Sequence, residues 1–176
     1  MRRNQFWRRC GLAWLLALAC APLFALPSQD EAQLKAAFIY RFAQFTQWPP
    51  PPPARDFNYC VTGDRELQEA MRAVVLKPMG QATGRLHVLA SPAEAGICHV
   101  LVLGFSGRQE LQLWLEALAD SPLLVVGSSA EAFRAGAIIG LVLEPNGMAF
   151  RINHSEAKRR RLMLSSQMLK LAREVK

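Results

Sequence analysis

Between residues 56 and 133 the chain alternates short runs of Val and Leu with stretches whose apolar residues recur every three or four positions. Phe57-Asn-Tyr-Cys-Val61, Arg85-Leu-His-Val-Leu-Ala90, Cys98-His-Val-Leu-Val-Leu103 and Leu123-Leu-Val-Val126 read as strands. Runs with so little polar alternation need cover on both faces, and the helices between them supply it. The pattern predicts an α/β fold with a mostly parallel sheet flanked by helices on both faces. Helices are expected at 65–75, behind Thr62-Gly63-Asp64, at 109–118, with Leu111, Leu115 and Leu118 inward, and in a short piece through Phe133. The link at 91–97 is short for a parallel crossover.

The two ends extend this plan. Residues 28–48 read as a helix capped by Ser28 or Asp30, with Leu34, Phe38, Phe42 and Phe45 on one face and Ile39 and Trp48 at its margins. So dense an aromatic stripe is read as core. The prolines at 49–53 end that helix as a stiff spacer. At the other end, residues 137–144 read as a buried strand, Asn146-Gly147 as a hairpin turn and Met148-Ala-Phe-Arg-Ile-Asn153 as its antiparallel partner. Asn153 or Ser155 then caps one long helix to residue 176, with Ala157, Leu164, Met168, Leu171 and Val175 on its inner side. The antiparallel C-terminal hairpin and long C-terminal helix are expected to close a single domain over residues 26–176.

Residues 1–25 read as a cleavable export signal: Arg2, Arg3, Arg8 and Arg9 form the basic head, Gly11 to Ala21 the apolar core and Leu23-Phe-Ala25 the cleavage site. An uncleaved anchor and a lipoprotein signal at Cys20 are the alternatives, weakened by Pro22 and by the poor match of Ala17-Leu18-Ala19. The formal charge of +7 suggests a polyanionic partner, but removing the four arginines leaves 17 basic against 14 acidic residues, a net of about +3. Nucleic acid is therefore not expected as a partner. Of four cysteines, Cys60 and Cys98 survive cleavage, and two cysteines in an exported chain favour a disulfide over a pair of buried thiols.

Catalytic readings fare poorly. Gly104-Phe-Ser106-Gly107 falls short of a nucleophile elbow because Arg108 stands where glycine is needed, and a triad would have to borrow His154 and Glu144 from the closing hairpin. His87, His99 and His154 lack metal-ligand spacing, and no dinucleotide fingerprint follows a strand. No enzyme, metal or cofactor is expected. Two features suggest binding. The strand carboxyl ends would gather Gly63, Asp64, Ser106, Gly107, Ser128 and Ser129 into a candidate ligand crevice, although any strand-to-helix turn needs such residues. Lys158, Arg159 and Arg160 form a basic shoulder for an acidic partner, with Arg161 partly covered.

Lys35-Ala-Ala-Phe-Ile-Tyr-Arg-Phe-Ala-Gln-Phe-Thr-Gln-Trp-Pro49, Phe57-Asn-Tyr-Cys-Val-Thr-Gly-Asp64, Cys98-His-Val-Leu-Val-Leu103, Phe150-Arg-Ile-Asn153 and Leu164-Ser-Ser-Gln-Met-Leu-Lys-Leu-Ala172 follow one another in an order that resembles the YfiR family of periplasmic proteins. The resemblance implies an exported α/β domain. In the family's characterised member it implies a dimeric repressor of an inner-membrane diguanylate cyclase, relieved by an outer-membrane lipoprotein or by disturbance of its disulfides. Cys60 and Cys98 match the family's commoner cysteine pair, whereas the second pair near the hairpin has no counterpart, so a switch built on it does not carry over. The five prolines depart from the usual linker. The expectation is a periplasmic, non-enzymatic regulator of cyclic-di-GMP signalling that binds the cyclase's periplasmic segment. The alternative is a periplasmic small-molecule binding module using the strand-end crevice.

Overall fold

The computed structural model describes residues 28–51 and 55–176. The export-signal reading of residues 1–25 lies outside the described residues, as do Pro52 and Pro53 of the spacer. The chain runs α1 (Ser28–Gln44), β1 (Thr46–Gln47), β2 (Asp56–Thr62), α2 (Arg65–Val74), β3 (Thr83–Val88), a 3-10 turn (Pro92–Ile97), β4 (Val100–Leu103), α3 (Arg108–Ala117), β5 (Leu124–Gly127) and α4 (Ala130–Ala135). It closes through β6 (Ile139–Glu144), β7 (Gly147–Ile152), α5 (His154–Arg159), β8 (Met163–Leu164), α6 (Ser166–Leu171) and β9 (Glu174–Val175).

One sheet has the order β3-β2-β4-β5-β6-β7-β9, parallel from β3 to β6 and antiparallel at the β6–β7 hairpin. Every residue of β4 and β5 is buried, which is why these runs show no polar alternation. Successive residues serve opposite layers. Val100, Val102, Leu124 and Val126 pack in a core with α1, α2 and the closing segment, while Cys60, Leu101, Leu103 and Val125 pack in a second core with α3 and α4. The short link at 91–97 passes from β3 across β2 to β4 as a single 3-10 turn. Ser91 N–H donates to Glu94 Oε1 at 3.0 Å to cap that turn, and Ala95 is buried beneath it.

The closing helix expected from Asn153 to residue 176 is instead broken into pieces. Arg161 adopts a left-handed φ of 60°. Arg161 N–H then reaches the Lys158 carbonyl and Leu162 N–H the Ala157 carbonyl, both at 2.9 Å, which satisfies the last acceptors of α5 and ends it. The freed chain sets β8 antiparallel to β1, Ser165 Oγ accepts from Met168 N–H at 3.2 Å to start α6, and β9 pairs parallel to β7. Ala157, Leu164 and Met168 are buried as the stripe requires, but Leu171 and Val175 are 71% and 45% exposed.

The first helix stops at Gln44 and not at Trp48. Thr46 Oγ1 donates to the Phe42 carbonyl at 2.8 Å, and Ser165 N–H claims the Phe45 carbonyl at 2.9 Å. Its buried face is Ala32, Ala36, Ile39 and Ala43 together with Tyr40 and Phe42, leaving Leu34 38% exposed. Small alanine side chains let the helix axis come close to its neighbours, while of the aromatic stripe Phe42 is buried and Phe38 and Phe45 pack half-buried against the same core. In the hairpin, Pro145 and Asn146 form the loop and the positive φ, +126°, falls on Gly147. Proline holds its own φ negative, so a primed Asn-Gly turn does not form.

Tyr59 is fully buried and its hydroxyl has no hydrogen-bond partner among the described residues. Burial, helped by nearby Tyr40, pushes the phenol pKa up. Removing an unsatisfied buried hydroxyl without changing the ring relieves a desolvation cost, so Tyr59→Phe raises stability by about 1 kcal/mol in denaturant melts. A loss of stability in that variant would show that the hydroxyl is satisfied.

Candidate functional site

The five parallel strands follow a doubly wound order whose direction reverses between β2 and β4, the position where such sheets hold ligands. Here backbone fills that position. Gly104 N–H donates to the Thr62 carbonyl at 2.8 Å, and a Cβ on Gly104 would stand 2.4 Å from Asp64 N. Gly63, at φ +88°, packs against the Gly104 and Phe105 backbone from the other side. Asp64 Oδ1 is used to cap Leu67 N–H at 3.0 Å, and Ser129 Oγ caps Ala132 N–H at 3.3 Å. Gly107 is the cap residue of α3, and Ser128 N–H donates to the Leu103 carbonyl at 3.0 Å. Of the six crevice residues, Ser106 lines a cavity of about 300 Å³, shared with Arg108, Gln112 and the Glu131–Arg134 pair.

Cys60 and Cys98 form the disulfide, with Cα atoms 5.8 Å apart. Cys60 is buried in the middle of β2, and Cys98 lies just before β4. Asn58 and His99 brace the same end of the sheet. His99 N–H donates to the Asn58 carbonyl and Asn58 N–H to His99 Nδ1, each at 2.9 Å, while Asn58 Nδ2 donates to the Ile97 carbonyl at 2.8 Å. The His99 ring stacks on Phe57 at 4.9 Å between centroids and meets Trp48 edge-on. Burial holds the His99 pKa below the ordinary imidazole value.

The basic shoulder is divided in use. Lys158 is exposed. Arg159 lies 2.7 Å from Glu156 and 3.5 Å from Asp120. Arg160 is 2% exposed and donates to the Leu118 carbonyl at 2.6 Å and to Glu156 at 2.7 Å. The covered residue is thus Arg160, not Arg161, because the helix breaks one position later and turns Arg161 to solvent.

A larger opening lies where α1, α6 and β7 meet. Phe38, Phe45, Phe150 and Met168 line a groove of about 650 Å³, with Leu34 and Leu171 exposed at its sides. Phe42 and Phe150 rings form its base, 4.9 Å apart. Arg41 and Lys77 also line it, and among the described residues no carboxylate does. Lys77 Nζ sits 5.7 Å from the Tyr40 ring centre, and the Tyr40 hydroxyl donates to the Pro78 carbonyl at 2.7 Å. Sequence periodicity exposes the residues of both walls but assigns them to the core; what it misses is that the walls meet with their outer halves open.

The YfiR/HmsC-like family model (DUF4154) matches residues 32–173. No curated protein matches the chain. Among solved structures, a conserved domain protein from Vibrio cholerae O1 biovar eltor superposes with a TM-score of 0.59 at 12% identity, covering 82% of this chain and 60% of that one. The ABC domain in complex with L-Trp from Streptococcus pneumonia gives a TM-score of 0.55 at 11% identity, over 83% of this chain and 60% of that one. Both likenesses are of fold alone, and the chain spans 60% of the length of each of these structures. The internal disulfide is compatible with a periplasmic location. With the match running from α1 through α6, the chain belongs to the YfiR/HmsC-like family, an assignment that suggests a periplasmic regulator of cyclic-di-GMP signalling.

Proposed function

We propose that this domain is a non-enzymatic repressor that binds the periplasmic segment of an inner-membrane diguanylate cyclase and holds it inactive. Family membership and the disulfide support the class and the compartment. The observation that carries the binding reading is the groove between α1, α6 and β7, open and apolar, with two cations and, among the described residues, no carboxylate on its walls. Its charge complements a segment that presents an apolar side chain beside acidic ones. Repression then needs only that the cyclase's inactive state present that segment better than its active state, since differential affinity is what shifts a two-state equilibrium. An outer-membrane lipoprotein that binds this domain in competition would relieve the repression.

Binding is measured between the full domain and the periplasmic segment of an inner-membrane diguanylate cyclase from the same organism. Arg41→Glu/Lys77→Glu weakens that binding about tenfold or more, as does truncating the Phe38 anchor to alanine. Lys158→Glu, on the basic shoulder, leaves affinity unchanged. Equal binding by the groove variants and loss of binding in Lys158→Glu would move the contact to the shoulder. The small-molecule reading draws support from the cavity beside Ser106, at the edge of a switch point where the Gly63 and Gly104 backbones approach closely.

A further inference from the structure

In a parallel ladder a strand residue both accepts from and donates to the same neighbour, and the two partners sit two residues apart. Asn58 keeps the first half of that pattern, accepting from His99 N–H. The second half would send Asn58 N–H to the Ile97 carbonyl. That rung is not made. The Ile97 carbonyl takes the Asn58 carboxamide instead, and Asn58 N–H is received by His99 Nδ1 at 2.9 Å. Two side chains therefore complete the ladder at the point where Cys98 is joined to Cys60.

Such a rung requires Nδ1 to carry a lone pair and no proton. A protonated ring would present an N–H to the Asn58 N–H, and two donors at 2.9 Å repel. Around the ring, α1's trailing segment contributes Trp48 and β2 contributes Phe57, neither of which titrates. β5 contributes Leu124 N–H, which donates to the His99 carbonyl at 3.0 Å. His87 on β3 reaches Asn58 Oδ1 at 3.2 Å, one residue removed from His99. The charges on these strands, Arg85 and Asp56, pair with each other at 2.8 Å, and Glu94 of the 3-10 turn is held by Ser91 at 3.0 Å.

We infer that His99 is an acid-operated latch, whose neutral imidazole pins the Cys98 end of the disulfide to β2 and whose protonation releases that end. This goes beyond the regulatory reading and does not depend on it. The sign follows from burial, which holds the pKa of the latched ring low. A latch whose closed form resists protonation is fully shut above the ordinary imidazole pKa of about 6.5 and opens progressively as pH falls below it.

The test uses the intact, oxidised protein and the rate at which a phosphine reduces Cys60–Cys98. His99→Asn places a carboxamide oxygen where Nδ1 stood, an acceptor that cannot be protonated in this range. Between pH 7.5 and pH 5, the ratio of the wild-type rate to the His99→Asn rate rises by up to about 30-fold, the limit for a group of ordinary pKa 6.5 that must be neutral when latched. The wild type alone supplies a second readout by nuclear magnetic resonance. As the His99 ring titrates, with a midpoint below the usual histidine value, the Asn58 amide proton shifts with the same midpoint. A rate ratio that stays flat with pH, or an Asn58 amide that ignores the titration of His99, overturns the latch.

Discussion

Replacing Cys60 and Cys98 together by alanine lowers the unfolding free energy by about 4 kcal/mol and the melting temperature by about 10 °C. The bond links positions 38 residues apart. In the chain-entropy account, closing a loop of that length removes about 4 kcal/mol of freedom from the unfolded chain. What lies inside the loop makes the effect local as well as global: α2, β3 and the 3-10 turn are all enclosed by it. β3 is the edge of the sheet, hydrogen-bonded among the described strands to β2 alone, and none of its residues is fully buried. Its amides, and those of residues 91–98, lose exchange protection first in the alanine variant, ahead of β4 and β5. Differential scanning calorimetry with hydrogen exchange on the same samples reads both effects. A variant that melts within 2–3 °C of the parent would mean that the bridge only decorates a sheet already held by packing.

The readable parts of the chain were those where one physical constraint acts over several residues. β4 and β5 are buried on both faces, so four consecutive apolar residues announce each of them. Asp64 and Ser129 each close the first turn of a helix through a side-chain oxygen, a role open to few residue types. The unreadable parts rest on single residues or on strands of two. A left-handed residue is ordinarily glycine, and nothing about Arg161 in isolation says that the helix ends there. Apolar residues at 157, 164 and 168 fit one unbroken helix as well as they fit α5, β8 and α6. β1, β8 and β9 have two residues each, too few to show a period. The groove suffered from the same break: Phe38 and Leu171 belong to apolar stripes visible in the sequence, but their meeting depends on where α6 restarts.

Arg160→Ala costs about 3–5 kcal/mol, of the same order as loss of the disulfide. The guanidinium is 2% exposed and joins three partners that lie on separate parts of the chain or on its own helix: the carbonyls of Leu118 and Ser121, at 2.6 and 3.3 Å, and Glu156, at 2.7 Å. It thereby ties α5 to the end of α3. Truncation leaves the Leu118 carbonyl without this donor and Glu156, whose side chain is 16% exposed, with Arg159 alone. The loss is thus mostly the penalty of stranded partners, and not the strength of the ion pair. Two further variants separate these contributions. Arg160→Lys keeps the charge but cannot fork between a carboxylate and two carbonyls, and recovers only part of the loss. Glu156→Gln/Arg160→Met removes both charges and is less destabilised than Arg160→Ala. The acid limb gives an independent sign. Burial pushes the Glu156 pKa up, but hydrogen bonds from Arg159 and Arg160 hold it below the ordinary glutamate value. Its contribution to stability is therefore full above about pH 4.5 and disappears as pH falls through the lowered value. Guanidinium melts from pH 7 to pH 3 should show that acid loss in the parent and a shallower one in Glu156→Gln/Arg160→Met. If Arg160→Ala stays within 1 kcal/mol of the parent at pH 7, the buried arginine is filling space, and α5 is held to α3 by packing.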